Sequence, residues 1–124
     1  MPIVRVYGLR PTTPPGDLIA WQSRFTDLVR TLPGHLDACV HVAFPSDLLE
    51  PLGTELTIIV EGIRCVYGDG FNSAYRDRLA LDLASFLFDS VRPQPERVHA
   101  VVHLDQMSGI IVVPTPAPVT PANP

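Results

Sequence analysis

The order of its predicted elements limits the fold of this chain more than any other feature of the sequence. Apolar, β-branched runs predict strands, and apolar residues spaced three and four apart predict amphipathic helices. The predicted strands span residues 1–9, 38–44, 54–66 and 98–104, and the predicted helices span 17–32 and 72–91. Each half of the chain therefore has the order strand–helix–strand, which predicts a βαβ unit with its helix on one sheet face.

The two halves predict one α+β domain, a two-layer sandwich of two βαβ units with a four-stranded sheet and two helices on one face. We expect this domain over residues 1–108, followed over 109–124 by a short strand and a proline-rich tail that is extended or disordered. Gly62, inside the third strand, predicts a bulge or a close backbone approach. The other face of the sheet carries apolar groups, which a partner subunit would cover.

The basic residues exclude several function classes. The net charge is −4, and all nine basic residues are scattered arginines. Without a basic stripe, nucleic acid is not an expected partner. Without lysine, Schiff-base and phosphate-loop lysine chemistry is impossible, and the only amine is the N-terminal one. No apolar run approaches the ~20 residues that a membrane span needs.

The two cysteines point to a cytoplasmic protein. Cys39 and Cys65 stand alone in apolar runs and form no C-x-x-C pair, and the N-terminus does not resemble a signal peptide. We expect both to be reduced core residues, with a disulfide between neighbouring strands as the alternative.

Pro2 is the residue of the first strand that is best suited to take part in a reaction. A proline can begin a strand without losing a ladder bond. If Met1 is removed, Pro2 carries a secondary amine, and apolar surroundings would favour its neutral, proton-accepting form. If Met1 is retained, Pro2 is an amide nitrogen without such chemistry, and it simply begins an edge strand.

Arg10 and Arg64 follow strands at corresponding points of the two halves. Either could hold a substrate carboxylate through paired hydrogen bonds, or lie solvated on the surface. Arg64 lies in an apolar run, which favours a functional role for it. Arg5 also lies in an apolar strand, where an ion pair between subunits is an alternative.

Three histidines share one strand parity, opposite to that of the neighbouring valines. If the valines face the helices, His41, His99 and His103 face the surface that a partner would close. Together with Glu61 they could form a zinc site. No close ligand spacing supports this site, so we expect hydrogen-bonded interface histidines and no metal.

Several short motifs resemble the tautomerase superfamily, in particular its trimeric branch of macrophage migration inhibitory factor-like proteins and malonate semialdehyde decarboxylase. The resemblance lies in the Met-Pro start, the two βαβ halves and a set of local segments. These segments are Val40-His41-Val42, Asn72-x-x-Tyr75, and Pro95-Glu96-Arg97-Val98-His99 continuing to Asp105-Gln106-Met107.

This resemblance implies a homotrimer with active sites between subunits and a free N-terminal proline as acid or base, with no cofactor. Pro2 matches the catalytic proline, and His99 matches the position from which a neighbouring subunit contributes an aromatic hydroxyl. Arg64 matches the pocket lining. The family's pocket lysine is replaced by Pro33-Gly34, and its paired asparagine by Val101. These departures concern the tautomerisation of phenylpyruvate-type substrates more than the fold.

Three functional hypotheses follow. The first is a tautomerase or isomerase that acts on a small keto, enol or semialdehyde carboxylate, with Pro2 and His99 catalytic and with Arg64 or Arg10 binding the carboxylate. Decarboxylation or hydration could replace isomerisation. The second is a non-catalytic trimer with a binding or structural role, and the third is a ferredoxin-like binding domain with the same order of elements.

Overall fold

The computed structural model describes residues 1–46, 51–64, 69–106, 109–113 and 116–119. The elements are β1 (Ile3–Tyr7), α1 (Pro15–Arg30), β2 (His41–Ala43), β3 (Glu55–Arg64), α2 (Asp69–Ser90), β4 (Arg97–Gln106), β5 (Gly109–Val113) and β6 (Pro116–Val119). Cys65 lies outside the described residues, so its predicted burial and pairing have no structural outcome.

The sheet confirms the two predicted βαβ units. Its strands follow the order β2-β1-β3-β4-β5, and β6 pairs with the outer side of β4. β1 and β2 are parallel, β3 and β4 are parallel, and the central strands β1 and β3 are antiparallel. A ferredoxin-like fold splits its βαβ units, whereas here the two strands of each unit are neighbours. The α+β sandwich is therefore correct, and the ferredoxin-like alternative is excluded.

Corresponding hydrogen bonds begin the parallel pairing in both halves. The N–H of His41, at the start of β2, donates to the carbonyl oxygen of Pro2 at 2.9 Å. The N–H of Arg97, at the start of β4, donates to the carbonyl oxygen of Thr54 at 3.2 Å. Pro2 precedes β1 as Thr54 precedes β3, so Thr54 is the counterpart of Pro2 in the second half.

Both helices pack on one face of the sheet. Alternate residues of the strands are buried in one apolar core with the inner faces of α1 and α2. The largest side chains that are fully buried include Phe25, Leu56, Ile58, Leu83, Leu87, Val4, Val6, Val60, Val98 and Val102. Each contributes about 1.5–3 kcal/mol by leaving water. Neither helix, within the described ranges, has the length and apolar character needed to cross a membrane.

The opposite face of the sheet is only partly buried. It carries Ile3, Ile59 and Val101 in the alternate positions, together with the ion pair between Arg5 Nη1 and Glu61 Oε1. Arg5 thus pairs within its own chain, and an ion pair between subunits stays a prediction. The three histidines lie on this face as predicted from their parity, since Val42, Val98 and Val102 are buried on the other.

One sequence prediction needs correction. Cys39 is exposed and is not a core residue, because β2 begins only at His41 and residues 38–40 form part of the connection. The proline-rich tail is predicted to be extended or disordered, and its described segment Pro116–Val119 is extended, since it pairs antiparallel with Val98–Val101 of β4. Prolines are compatible with such an edge strand because one side of it needs no N–H donors.

Candidate active site

Pro2 is buried at the start of β1 and lines a cavity of about 480 Å³. The cavity lies between the beginning of β1, the end of β3 and the connection from α1 to β2. Its lining consists of Met1, Pro2, residues 34–39, Gly62 and Arg64. This volume is within the usual range for small-molecule sites.

Gly62 brings β3 against the N-terminus. The β3–β4 register shifts between Val60 and Ile63, and Gly62 has a φ of +82°. A Cβ built on Gly62 would lie 2.4 Å from the Met1 carbonyl oxygen and 3.1 Å from Pro2 Cα. Both halves of the prediction for Gly62 are therefore confirmed, because it forms a bulge and allows a close backbone approach. The backbone approached is that of the candidate catalytic residue.

Arg64 and Pro2 meet because β1 and β3 are antiparallel. Ile3 pairs with Glu61, so the beginning of β1 lies beside the end of β3. Arg64, the last residue of β3, is exposed and lines the same cavity as Pro2. Its guanidinium is a permanent cation, and Asp37 and the exposed Cys39 also line the cavity. Pro2 and an arginine, whose cation is suited to a substrate carboxylate, thus line the same cavity.

His35 also lines the cavity, and sequence analysis did not identify it. It is 5% exposed; its Nδ1 lies 2.8 Å from the Pro33 carbonyl oxygen, and its Nε2 lies 3.1 Å from the Arg64 backbone nitrogen. A carbonyl only accepts and a backbone N–H only donates. The tautomer that satisfies both contacts is therefore the neutral imidazole with its proton on Nδ1. No sequence periodicity signals His35, because it lies in a connection and its partners are backbone atoms.

Arg10 lies at the opposite end of the central strand pair. Its Nε donates to the Leu52 carbonyl oxygen at 2.7 Å, and its side chain packs against Gly53. The positions after β1 and after β3 do correspond, but antiparallel pairing sends them to opposite ends of the sheet. Within one chain Arg10 therefore does not share the Pro2 cavity.

His99 is also distant from Pro2 within one chain. It pairs with Thr57 of β3, which in turn pairs with Tyr7 at the far end of β1. Pro2 and Tyr7 are separated by roughly 16 Å along the strand at about 3.3 Å per residue. His99 lies on the partly buried face of the sheet, where its side chain is half-buried.

The residues considered for a zinc site lie on three different strands, β2, β3 and β4. Across the part of the chain that the structure describes, no three His, Cys, Asp or Glu side chains are grouped as metal ligands. His41 lies on β2 whereas His99 and His103 lie on β4, and β1 and β3 separate these two strands in the sheet.

Comparison with solved structures identifies the fold. The chain is similar to the crystal structure of N1, a member of the cis-3-chloroacrylic acid dehalogenase family, with a TM-score of 0.50 and 14% sequence identity. The match covers 85% of this chain and 74% of that chain. No protein-family model matches the chain, and no curated protein matches it. The chain thus has the tautomerase-superfamily fold that its sequence predicted.

Proposed function

We propose that this protein is a tautomerase-type enzyme that acts on a small carboxylate-bearing keto, enol, semialdehyde or unsaturated acid through the amine of Pro2. One observation carries the proposal: buried Pro2 and the cation of Arg64 line one cavity at the start of the chain. The shared fold supports the proposal. The name of the structural neighbour's family also supports it, because it contains 3-chloroacrylic acid, a small unsaturated carboxylic acid.

The chemistry is proton transfer at the Pro2 nitrogen, once Met1 has been removed. Arg64 binds the substrate carboxylate through charge-assisted hydrogen bonds. The neutral amine takes a proton from the carbon next to the substrate carbonyl, and the electron pair of that C–H bond moves to the carbonyl oxygen as an enolate. The protonated amine then returns the proton to the enolate oxygen, which gives the enol of a keto acid such as phenylpyruvate, or to another carbon of a conjugated enolate, which gives an isomer.

We propose further that the active protein is a cytoplasmic homotrimer. The partly buried face carrying Ile3, Ile59 and Val101 offers an apolar surface for neighbouring subunits. His99 lies on this same face, too far from its own Pro2 to act there, so in this proposal it serves a neighbour's site. Arg10 lies outside the single-chain site; a role for it in substrate binding would require a neighbouring subunit, and the proposal assigns the carboxylate to Arg64 alone.

A non-catalytic trimer is the second candidate, and the position of Met1 favours it. The Met1 carbonyl fits against the one residue of the bulge that has no side chain, Gly62. A chain that retains Met1 therefore folds with it in place. Pro2 would then be a tertiary amide that cannot carry a proton, and the cavity could bind carboxylates without converting them.

Substitution of Pro2 distinguishes the two candidates. We expect Pro2→Ala to reduce kcat/KM by about 100-fold or more, the usual contribution of a positioned acid or base, with phenylpyruvate and cis-3-chloroacrylate as test substrates. Thr54→Ala is the matched control, since Thr54 occupies the corresponding position of the other half, and its kcat/KM should equal that of the unmodified protein. Unchanged turnover in Pro2→Ala would exclude proton transfer at Pro2.

A further inference from the structure

His35 has more fixed contacts than a connecting residue needs. Its backbone N–H donates to the Leu32 carbonyl at 3.0 Å, and its own carbonyl accepts from the Ala38 N–H at 3.0 Å. Its two ring nitrogens contact the Pro33 carbonyl and the Arg64 N–H. All four polar groups of this buried residue are therefore engaged, three of them within its own connection and one with β3.

The contact with Arg64 is the one that leaves the connection. It joins the end of β3 to the α1–β2 connection across 29 residues of sequence. Because Arg64 is the last residue of β3, the direction of its side chain depends on where its backbone is held. A cation that holds a carboxylate bidentately must also be correctly oriented. The bond from its N–H to Nε2 fixes that backbone on one wall of the cavity.

We infer that His35 is a positioning residue, which holds the Arg64 backbone so that the guanidinium faces a carboxylate bound beside Pro2. The inference rests on the proposed function of Arg64 and adds the determinant of its geometry. The Pro33 contact has a supporting role, since it keeps the Nδ1 protonated and leaves Nε2 as the acceptor that Arg64 requires.

Two substitutions separate the two contacts of the ring. In His35→Gln, the longer side chain can place its amide oxygen near the position of Nε2 and accept from Arg64. In His35→Asn, the shorter side chain can place its NH₂ near the position of Nδ1 and donate to Pro33, but it provides no acceptor for Arg64. Both variants replace the ring with an amide, so the loss of the imidazole is common to them.

The kinetic test measures KM and kcat for phenylpyruvate and cis-3-chloroacrylate. We expect His35→Asn to raise KM about tenfold with little change in kcat, because carboxylate binding is lost equally in the ground state and the transition state. The KM of His35→Gln should remain within about threefold of that of the unmodified protein, because the Gln amide oxygen still accepts from the Arg64 N–H. Equal increases in KM for the two variants would show that His35 only fills the connection, and would overturn the inference.

Arg64→Gln serves as the control that separates this inference from the proposed function. If Arg64→Gln raises KM strongly while His35→Asn does not, the positioning role is wrong and the proposed function remains. If Arg64→Gln leaves KM unchanged, Arg64 is not the carboxylate ligand, and the proposed function fails together with the inference.

A spectroscopic measurement on the unmodified protein needs no variant to fold. Nitrogen-15 NMR should show a neutral His35 ring protonated on Nδ1, and a scalar coupling between the Arg64 amide nitrogen and Nε2 across their hydrogen bond. A ring protonated on Nε2, or the absence of that coupling, would contradict the inference.

Discussion

The two ends of the central β1–β3 pair share one backbone device. Gly8-Leu9-Arg10 follows β1, and Gly62-Ile63-Arg64 completes β3. Both glycines have positive φ, +95° and +82°. A Cβ on either would lie 2.4 Å from a backbone oxygen of the other strand's beginning, that of Glu55 for Gly8 and that of Met1 for Gly62. The duplicated βαβ unit thus repeats a Gly-x-Arg ending as well as its topology.

The ends differ in chemistry rather than in space. Hollows of about 490 and 410 Å³ flank Arg10, comparable to the cavity at Pro2. Among their described lining residues, Arg10 is the only titratable group, and the rest are prolines, hydroxyls and aliphatic or aromatic side chains. The cavity at Pro2 instead combines His35, Asp37, Cys39 and Arg64. Thr54, the counterpart of Pro2, lies within the chain and can never carry an amine.

This comparison teaches how the fold acquires a site. The repeated backbone device supplies an arginine at each end of the central strands. The α1–β2 connection over residues 31–40 is longer than the α2–β4 connection over residues 91–96, and it brings His35 to the first end only. In the proposed function, removal of Met1 would add the amine of Pro2 at that same end.

Substitution of the two arginines should show the largest difference between the two ends of the β1–β3 pair. We expect Arg64→Gln to raise KM for a small carboxylate by about 10- to 100-fold, since hydrogen bonds to a charged group contribute about 1.5–3 kcal/mol. Arg10→Gln should leave KM unchanged, because its guanidinium lies at the other end of the sheet and its Nε bonds to Leu52. Steady-state kinetics with phenylpyruvate measures both, and equal effects would contradict the distinction between the ends.

Substitution of either glycine should lower the free energy of unfolding, and the two losses should be more alike than the effects of the two arginine substitutions on KM. Gly8→Ala and Gly62→Ala each impose a positive φ on alanine, a strain of about 1–3 kcal/mol, and urea unfolding would measure the loss. If Met1 is absent, Gly8→Ala should lower the free energy of unfolding more than Gly62→Ala does. The nearest remaining contact of a Cβ at Gly62 is then Pro2 Cα at 3.1 Å, which is less crowded than the contact at Gly8. Only Gly62→Ala should also weaken substrate binding, since it displaces Pro2. Unchanged substrate binding in Gly62→Ala would show that the bulge at Gly62 does not contribute to the site.

Much of the fold could be predicted because its signals are local. Strand and helix periodicity gave both βαβ units, and Gly62 stood in an apolar strand where only a bulge or a close approach accounts for a glycine. The placement of Arg64 in the pocket of Pro2 came from the resemblance to the tautomerase superfamily and not from a local pattern. The site positions of Pro2, His99, Arg64 and Arg10 in an assembled protein stay predictions.

Other features depend on pairing, which the sequence does not encode locally. Arg10 and Arg64 looked equivalent because their local contexts are equivalent, and only the antiparallel register of β1 and β3 separates them. Cys39 was placed in the core because its apolar neighbours resemble a strand, whereas the pairing with Pro2 begins at His41. His35 could not be found because its partners are backbone atoms brought together by the fold.

The most direct test of a free prolyl amine is the mass of the purified protein, measured both native and denatured. The denatured chain should have the mass of residues 2–124, and the native mass should be three times that of this chain. A denatured chain that retains Met1 would contradict the central claim, because Pro2 would then be an amide and the site could not transfer a proton.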